Sequence, residues 1–336
     1  MKNRIKNRIY KNGAAALVAV AFTLGAATAF GAIDISMVTV GYANNVADTA
    51  EGTGANGRGS VSYEYQIGTY EVTNTQYVAF LNAVDSSGTN SLGLFTITDN
   101  IYYGIEKASN GTSGDWYSVK SGFESKPVNF VSFYEAARFV NWLTNGQGSG
   151  GTETGMYTLS DGTGITRNAE AWAAGGFAIA SEDEWYKAAY YNPTLNGGAG
   201  GYTNYPWAGG ESPVNDKKEV NGANFNGSGT VENVGSYTKA TSYFGTYDQA
   251  GTLYEWIEDP ADDGTSRVLR GGSFYGTDYS LAASGRDSIG PADERSNVGF
   301  RVASLTAVPE PATWATLAGL ALLAWAALRR YRGARA

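Results

Sequence analysis

Ile67-Gly68-Thr69-Tyr70-Glu71-Val72-Thr73-Asn74-Thr75-Gln76-Tyr77 is the stretch that most directly sets the local fold of this chain. Its second half has the pattern of a capping box, in which the Thr73 side chain and the Gln76 side chain each bond the other's backbone amide. Apolar residues then recur at helical spacing, at Tyr77, Phe80, Leu81 and Val84. The stretch therefore predicts an amphipathic helix that begins directly after Thr73.

Two further capping boxes predict two further helices. The first is Ser132-Phe133-Tyr134-Glu135, whose helix is expected to end at Gly146. The second is Ser181-Glu182-Asp183-Glu184, whose helix is expected to end near Pro193. Both boxes precede apolar residues at helical spacing, so each predicted helix has one face suited to a core.

The predicted strands are short and are separated by turn residues and glycine-rich stretches. They are expected at 63–67, 268–269, 273–275 and 300–303. Glycine-rich segments at 50–60, 146–155 and 196–201 predict exposed loops, and there is no repeat at solenoid or propeller spacing. The pattern predicts one α+β domain over residues 33–306, with little regular secondary structure.

The N-terminus has the features of a secretory signal peptide over residues 1–32. Basic residues up to Lys11 precede an apolar run from Ala14 to about Ala27, and Ala27-Thr28-Ala29 fits a signal-peptidase site. The alternative is a membrane anchor, but the run is short and rich in glycine and alanine. We therefore expect the chain to be exported.

The C-terminus, residues 307–336, combines Pro309-Glu310-Pro311, a charge-free segment over 312–328 and an arginine cluster that includes Arg329 and Arg330. As a helix the charge-free segment would be about 25 Å long, near the lower limit for crossing a bilayer. The arginines would remain on the cytoplasmic side. The segment predicts a C-terminal transmembrane helix, and a buried C-terminal helix is the alternative.

The charge of the central region excludes two classes of partner. The chain has 24 basic and 32 acidic residues, but nine of the basic ones lie in the two ends. Residues 33–328 therefore hold 15 basic and 32 acidic residues, a net charge of about −17. A body this acidic repels nucleic acid and anionic membranes.

The absence of cysteine and histidine from all 336 residues excludes several kinds of chemistry. No disulfide can form, although a domain of about 270 residues can bury enough surface without one. No Ser-His-Asp or Cys-His nucleophile can be built. Zinc or haem sites with cysteine or histidine ligands are likewise excluded.

Taken together, these segments resemble the formylglycine-generating enzyme (sulfatase-modifying factor) family. Seven motifs occur in the family's order, at 67–77, 127–143, 181–189, 205–207, 245–256, 270–274 and 299–301. The resemblance implies a variant of the C-type lectin fold with little regular secondary structure. This expectation agrees with the α+β prediction made from the local patterns.

The last 30 residues resemble the PEP-CTERM sorting signal of Gram-negative bacteria, through Pro309, Glu310, Pro311, the apolar segment and the arginines. This resemblance implies recognition and cleavage by an exosortase, in an organism that makes exopolysaccharide. The precursor would then be membrane-inserted, and the mature protein would lie at the cell surface, in the outer envelope or in the extracellular matrix.

The family resemblance also implies where a catalytic site would lie. Enzymes of the family oxidise a substrate cysteine with two copper-binding cysteines, and the matching positions here are Gly276 and Leu281. Neither residue can bind copper(I), which prefers thiolate ligands. Relatives that use a three-histidine iron site are excluded by the absence of histidine. We therefore expect no catalytic residues of the family type and no copper.

The resemblance implies a candidate calcium site as well. Family members often hold calcium through an asparagine, backbone carbonyls and a glutamate, and the matching residues here are Asn224, Phe225, Thr252 and Glu255. Thr252 stands where the family has asparagine. The alternative is that Glu255 pairs with a buried arginine such as Arg270 or Arg301, because a buried charge needs a partner.

A candidate ligand cleft is expected at Tyr275, Gly276 and Tyr279, which occupy the place of the family's active cleft. Aromatic and hydrogen-bonding groups there suit a sugar or peptide, although they also suit an ordinary loop. The sequence thus predicts an exported, non-catalytic binding or structural protein whose partner is an exopolysaccharide, a surface glycan or a protein. The alternatives are a formylglycine-generating oxidase and a hydrolase with paired carboxylates.

Two acidic clusters have ordinary structural interpretations. Residues 182–184 are expected to stabilise the first turn of a helix, since acids there interact well with the helix dipole. Asp259, Asp262 and Asp263 are expected in a solvated loop, with hard-metal binding as the alternative.

Overall fold

The structure is a computed structural model, and it describes residues 32–49, 57–96, 98–159 and 165–305. Nearly all of the predicted signal peptide and the whole predicted sorting signal at 307–336 lie outside the described residues. The predicted C-terminal transmembrane helix is therefore outside them too. Within the described ranges, no helix is both long enough and apolar enough to span a bilayer.

The described residues form three regular helices and three short helical segments. They are α1 Asn74–Val84, α2 Phe133–Thr144, α3 Ala169–Ala173, α4 Glu182–Tyr190, α5 Leu195–Gly198 and α6 Asp278–Leu281. All three predicted capping boxes are confirmed, at the N-termini of α1, α2 and α4. These boxes pair two of the amides that would otherwise have no partner at each helix start.

The described ranges also contain twelve short strands. They are β1 Met37–Val40, β2 Tyr65–Gly68, β3 Ile105–Thr112, β4 Asp115–Val119, β5 Phe177–Ile179, β6 Tyr191–Asn192, β7 Gly201–Tyr202, β8 Tyr254–Pro260, β9 Arg267–Arg270, β10 Asp287–Ile289, β11 Val298–Gly299 and β12 Val302–Ser304. Most of the other described residues lie in loops and turns, in agreement with the predicted α+β domain of little regular secondary structure.

Two four-stranded sheets organise the domain. The first has the order β1-β2-β12-β5, is antiparallel throughout, and aligns Ile67 of β2 with Val38 and Ala303. The second has the order β10-β9-β8-β11, and β8 and β11 run parallel. The hairpins β3-β4 and β6-β7 stand outside these sheets. Since β11 and β12 are separated by only two residues, one short segment connects both sheets.

The core between the helices and the first sheet is aromatic. Tyr77 and Phe80 of α1 meet Phe139 of α2 with ring centroids 5.9 and 5.5 Å apart, and Phe300 packs 5.4 Å from Phe139. All four side chains are at most 1% exposed. Rings of this size bury about 150–250 Å² each, so they supply much of the hydrophobic stabilisation.

Two of the strand predictions need correction. Residues 273–275 are not a strand, because Gly271 and Gly272 have φ of 92° and 70° and turn the chain just before Ser273. The segment 300–303 is interrupted, since Phe300 and Arg301 lie between β11 and β12. The strands predicted at 63–67 and 268–269 are present, with bounds shifted by one or two residues.

Candidate functional site

The candidate cleft residues lie in the loop that leaves β9 and enters α6. Gly272 has left-handed backbone, and a Cβ atom on it would come within 2.6 Å of the Leu281 side chain. Glycine is therefore required at this position for both its conformation and its size. The turn holds residue 276 against the loop at 224–227, where the Asn226 amide donates to the Gly276 carbonyl over 2.7 Å.

Gly276 and Leu281, the two positions at which the sequence resemblance implies cysteines in the family enzymes, are filled in different ways. A Cβ atom at Gly276 would lie 2.4 Å from the Ser280 hydroxyl oxygen, so Ser280 occupies the space beside it. Leu281 is fully buried in an apolar cluster that includes Tyr205, Trp207 and Ala282. A buried aliphatic side chain at the second position leaves no ligand for a soft metal there.

The remaining cleft residues present aromatic rings to solvent. Tyr275 is 49% exposed, and its ring lies 4.1 Å from Phe274 and 5.7 Å from Tyr102. Tyr279, in α6, is 70% exposed. The structure thus places the exposed ring of Tyr275 beside Tyr102 and against the buried Phe274, and Gly276 and Tyr279 follow in the same loop and in α6.

The oxygens of the candidate calcium residues already accept protein hydrogen bonds. The Asn224 carbonyl accepts from the Thr252 amide over 2.9 Å, and its side-chain oxygen accepts from Ser228. The Phe225 carbonyl accepts from Asn215, and the Thr252 carbonyl accepts from Phe274. Among the described residues, no group of three or more acidic side chains is arranged to hold a metal ion. Since calcium prefers six to eight oxygens, an ion here would have to share or displace these hydrogen bonds.

Glu255 forms the central ion pair of the domain. Both of its carboxylate oxygens accept from the Arg301 guanidinium, over 2.6 and 2.7 Å, and one also accepts from the Trp185 indole over 2.8 Å. Glu255 and Arg301 are at most 1% exposed. Arg301 is one of the two arginines named as alternatives from the sequence, and a bidentate pair of this kind satisfies both buried charges.

Two acids next to this pair were not singled out by sequence reasoning. Glu71 is 1% exposed, and its carboxylate is paired with no side-chain donor among the described residues, only with the Leu253 backbone. Burial, and then the charges of Glu255 and Asp248, raise the pKa of Glu71 well above its ordinary range. Burial also raises the pKa of Asp248 to about 6. Glu71 stands in the first motif, and its position beside apolar neighbours was the only signal of burial.

The acidic residues 182–184 take structural roles in α4. Glu182 is paired with Arg58, Arg270 and Arg286, and Glu184 is paired with Arg167. Asp183 accepts a hydrogen bond from the Gly59 amide over 2.8 Å. Each acid of the first turn therefore bonds a group from another segment of the chain. None of these contacts pairs two acids as a general acid and a general base.

The predicted solvated loop needs correction at Asp259, which is half-buried in strand β8, whereas Asp262 and Asp263 are exposed in the turn that follows. All three acids form intramolecular contacts. Asp263 accepts from the amides of Thr265 and Ser266 over 2.8 and 2.7 Å, which closes a tight turn. Asp259 accepts from the Glu182 amide over 2.6 Å. Asp262, which is 88% exposed at its side chain, lies 3.4 Å from Arg286.

A match to a known protein family covers almost the whole domain. The family model described as sulfatase-modifying factor enzyme 1-like domain matches residues 33–305. The chain belongs to this family. The seven ordered motifs, the loop at 271–277 and the buried pair of Glu255 with Arg301 thus lie within a sulfatase-modifying-factor domain that contains no cysteine.

Solved structures show the same fold. Treponema denticola variable protein 1 is 21% identical with a TM-score of 0.55, over 82% of this chain and 97% of that one. CarF is 22% identical with a TM-score of 0.52, over 81% of this chain and 99% of that one. At these identities the likeness concerns the fold alone, which is the C-type-lectin-like variant. No curated protein matches the chain.

A second family model, described as the PEP-CTERM protein-sorting motif, matches residues 307–330. The motif implies export, sorting to the cell envelope and processing by an exosortase-type system. The sulfatase-modifying-factor domain ends at Leu305, so the sorting motif follows it almost directly.

Proposed function

We propose that this chain is an exported, non-catalytic binding or structural protein built on the sulfatase-modifying-factor fold. The observation that carries the proposal is the state of the two cysteine positions. Ser280 packs against Gly276, and Leu281 is buried in an apolar cluster, so the copper-binding pair of the family enzymes has no counterpart here.

The proposal places the mature protein at the cell surface, in the outer envelope or in the extracellular matrix of a Gram-negative bacterium. The N-terminal signal pattern and the sorting motif support this location. The precursor would be inserted in the membrane through its C-terminal segment until an exosortase-type enzyme cleaves it. The partner would then be an exopolysaccharide, a surface glycan or a surface protein.

Within this proposal, the patch formed by Tyr275, Gly276 and Tyr279 is one candidate contact surface. Its exposed rings and the adjacent Tyr102 offer apolar faces and hydroxyl groups together. Such amphipathic side chains are common in binding surfaces, because one part of the ring is apolar and the hydroxyl still finds a polar partner.

An oxidase assay tests the non-catalytic assignment. The full chain, supplied with copper and oxygen, is expected to form no aldehyde on a cysteine-containing sulfatase peptide, because no thiolate is present to bind copper(I). Mass spectrometry of the peptide measures the product, and a family enzyme with both cysteines serves as the positive control. Copper-dependent conversion of the cysteine would overturn the proposal and restore the oxidase alternative.

A second prediction concerns calcium. Because the oxygens of Asn224, Phe225, Thr252 and Glu255 already accept protein hydrogen bonds, chelation with EDTA is expected to leave the melting temperature of the full chain unchanged. Differential scanning calorimetry with and without millimolar calcium measures this. A calcium-dependent rise in melting temperature that Glu255→Gln abolishes would show that the ion displaces these hydrogen bonds.

A further inference from the structure

Aromatic residues from three separate segments meet on a surface distinct from the patch around Tyr275. We call this surface the tyrosine platform, formed by Tyr42, Tyr191, Tyr202, Tyr243 and Phe244. The Tyr42 ring lies 6.3 Å from Tyr191, 6.3 Å from Tyr243 and 6.5 Å from Phe244. Tyr42 and Tyr243 are 51% and 42% exposed, so two rings of the platform face solvent.

Tyr42 is held in an unfavourable backbone conformation. Its φ is +59°, a region that bulky L-residues rarely adopt and that typically costs of order 1–3 kcal/mol. The fully buried Lys187 donates from its ammonium group to the Tyr42 carbonyl over 2.9 Å and so fixes this turn. Residues held in such conformations are concentrated at functional sites.

A cleft of 360 Å³ continues from the platform and shares two of its rings, Tyr191 and Tyr202. Gly200 in its wall has a φ of +84°, and a Cβ atom there would meet the Tyr191 hydroxyl at 2.3 Å. The volume lies within the range of about 300–1,000 Å³ that is typical of small-molecule sites. The described residues that line the cleft include Asp48 and Asn196 and no lysine or arginine.

We infer that the tyrosine platform and its cleft bind a short segment of an uncharged polysaccharide. The weakly positive C–H groups on a sugar ring pack well against the negative face of an aromatic ring. The exposed Tyr42 and Tyr243 hydroxyls, which lie 3.4 Å from each other, and the side-chain oxygen of Asn196, whose amide nitrogen donates to the Gly200 carbonyl, can exchange hydrogen bonds with sugar hydroxyls. An acidic sugar is disfavoured, because the cleft has no basic side chain and the body carries a net charge of about −17.

This inference rests on the proposed function, since it names the partner of a protein that binds without catalysis. The inference concerns the tyrosine platform and not the patch around Tyr275, so the inference and the proposed function can fail separately. The oxidase assay does not depend on the platform. Equally, a polysaccharide held only through Tyr275 and Tyr279 would leave the proposed function standing and would overturn the inference.

The test is native affinity electrophoresis of the full chain in mild detergent, through gels containing dextran, laminarin or alginate. The uncharged glucans are dextran and laminarin, and alginate is the polyanionic comparison. The binding variant is the double change Tyr42→Gly with Tyr243→Ser. Glycine suits the φ of +59°, so this change removes the ring while relieving strain, and the melting temperature is expected not to fall. The matched control is Leu92→Ser with Val220→Ser, two side chains of similar exposure, at 43% and 57%, that belong to neither aromatic surface. A third variant, Tyr275→Ser with Tyr279→Ser, reports on the other patch.

We expect at least one uncharged glucan to retard the chain, alginate to retard it less, and the double variant to weaken retardation by at least about tenfold. The control pair is expected to behave as the unaltered chain. The inference is overturned if neither glucan retards the chain, if alginate binds more tightly, or if the platform variant is retarded as strongly as the unaltered chain. Loss of glucan binding in the Tyr275 and Tyr279 variant alone would overturn it as well. It is also overturned if glucan binding is absent and the platform variant instead loses a protein captured from the bacterial surface.

Discussion

Arg301→Met is expected to lower the free energy of unfolding by about 3–5 kcal/mol, the usual cost of removing one partner from a buried ion pair. Arg301 donates to both oxygens of Glu255 and also to the carbonyls of Gly68 and Tyr247. Methionine preserves much of the side-chain length but supplies no donor. Urea unfolding followed by tryptophan fluorescence measures the change.

The loss of stability in Arg301→Met should be larger than for an isolated ion pair, because of the environment of Arg301. Glu71 and Asp248 lie close enough to contribute to the raised pKa of Arg301, so one guanidinium faces three buried carboxyl groups. Without the arginine, Glu255 would remain buried with only the Trp185 indole as a charge-stabilising donor. The variant is therefore expected to raise the affinity of this cluster for protons as well as to destabilise the fold.

Two variants make this prediction specific. Arg295→Met removes an arginine that is 55% exposed and paired with the exposed Asp293, and it is expected to change stability by less than about 1 kcal/mol. Glu255→Gln combined with Arg301→Met removes both charges and is expected to be more stable than Arg301→Met alone. Equal stability of Arg301→Met and Arg295→Met would contradict the role assigned to the pair.

The local features of this fold were accessible from the sequence because each depends on residues close together in the chain. The three capping boxes need only four residues each, and Thr73, Ser132 and Ser181 all cap as predicted. The segment at 273–275 was mispredicted as a strand because β-forming residues there follow two glycines with positive φ. Local turn geometry overrode residue preference at that point.

The site could be predicted only in part, because its contacts join distant segments. From sequence alone, Arg270 and Arg301 were equal candidates to pair with Glu255. The parallel pairing of β11 with β8 brings the chain before Arg301 to Glu255, whereas Arg270 reaches Glu182 of α4 instead. The tyrosine platform unites residues up to 202 positions apart, such as Tyr42 and Phe244, and no periodicity marks it.

Lowering the pH from about 7.5 to 5 is expected to stabilise the protein, contrary to the behaviour of domains whose acids are mostly ion-paired. Burial raises the pKa of Asp248 from 3.8 to about 6 and that of Glu135 from 4.5 to about 7. The folded state thus binds these protons more tightly than the unfolded chain, so their ionisation opposes folding. Each group contributes roughly 3 kcal/mol at most, gained as the pH falls through the folded-state pKa.

The gain in stability should reverse at still lower pH, because folding lowers the pKa of other carboxylates instead of raising it. Arg270, Arg286 and Arg58 help to lower the pKa of Glu182 against the cost of its burial, and Arg167 does the same for Glu184. Their stabilisation is complete above the unfolded pKa of about 4 and is lost as the pH falls further. Stability is therefore expected to pass through a maximum near pH 5, measured by urea unfolding across a pH series.

Asp248→Asn and Glu135→Gln assign the upper slope to these two residues. Asparagine tolerates the φ of +60° at position 248 and retains an acceptor for the Gly235 amide, and glutamine retains an acceptor for the Ser132 amide. Each change is expected to reduce the stability difference between pH 7.5 and 5, and Glu135→Gln more than Asp248→Asn, because a folded-state pKa of about 7 is passed earlier in this range than one of about 6. The raised pKa of Glu71 leaves part of the slope in both variants. A stability that rises with pH over this range, or a slope that neither variant reduces, would show that the buried acids around Arg301 and at the start of α2 are ionised in the folded protein without cost.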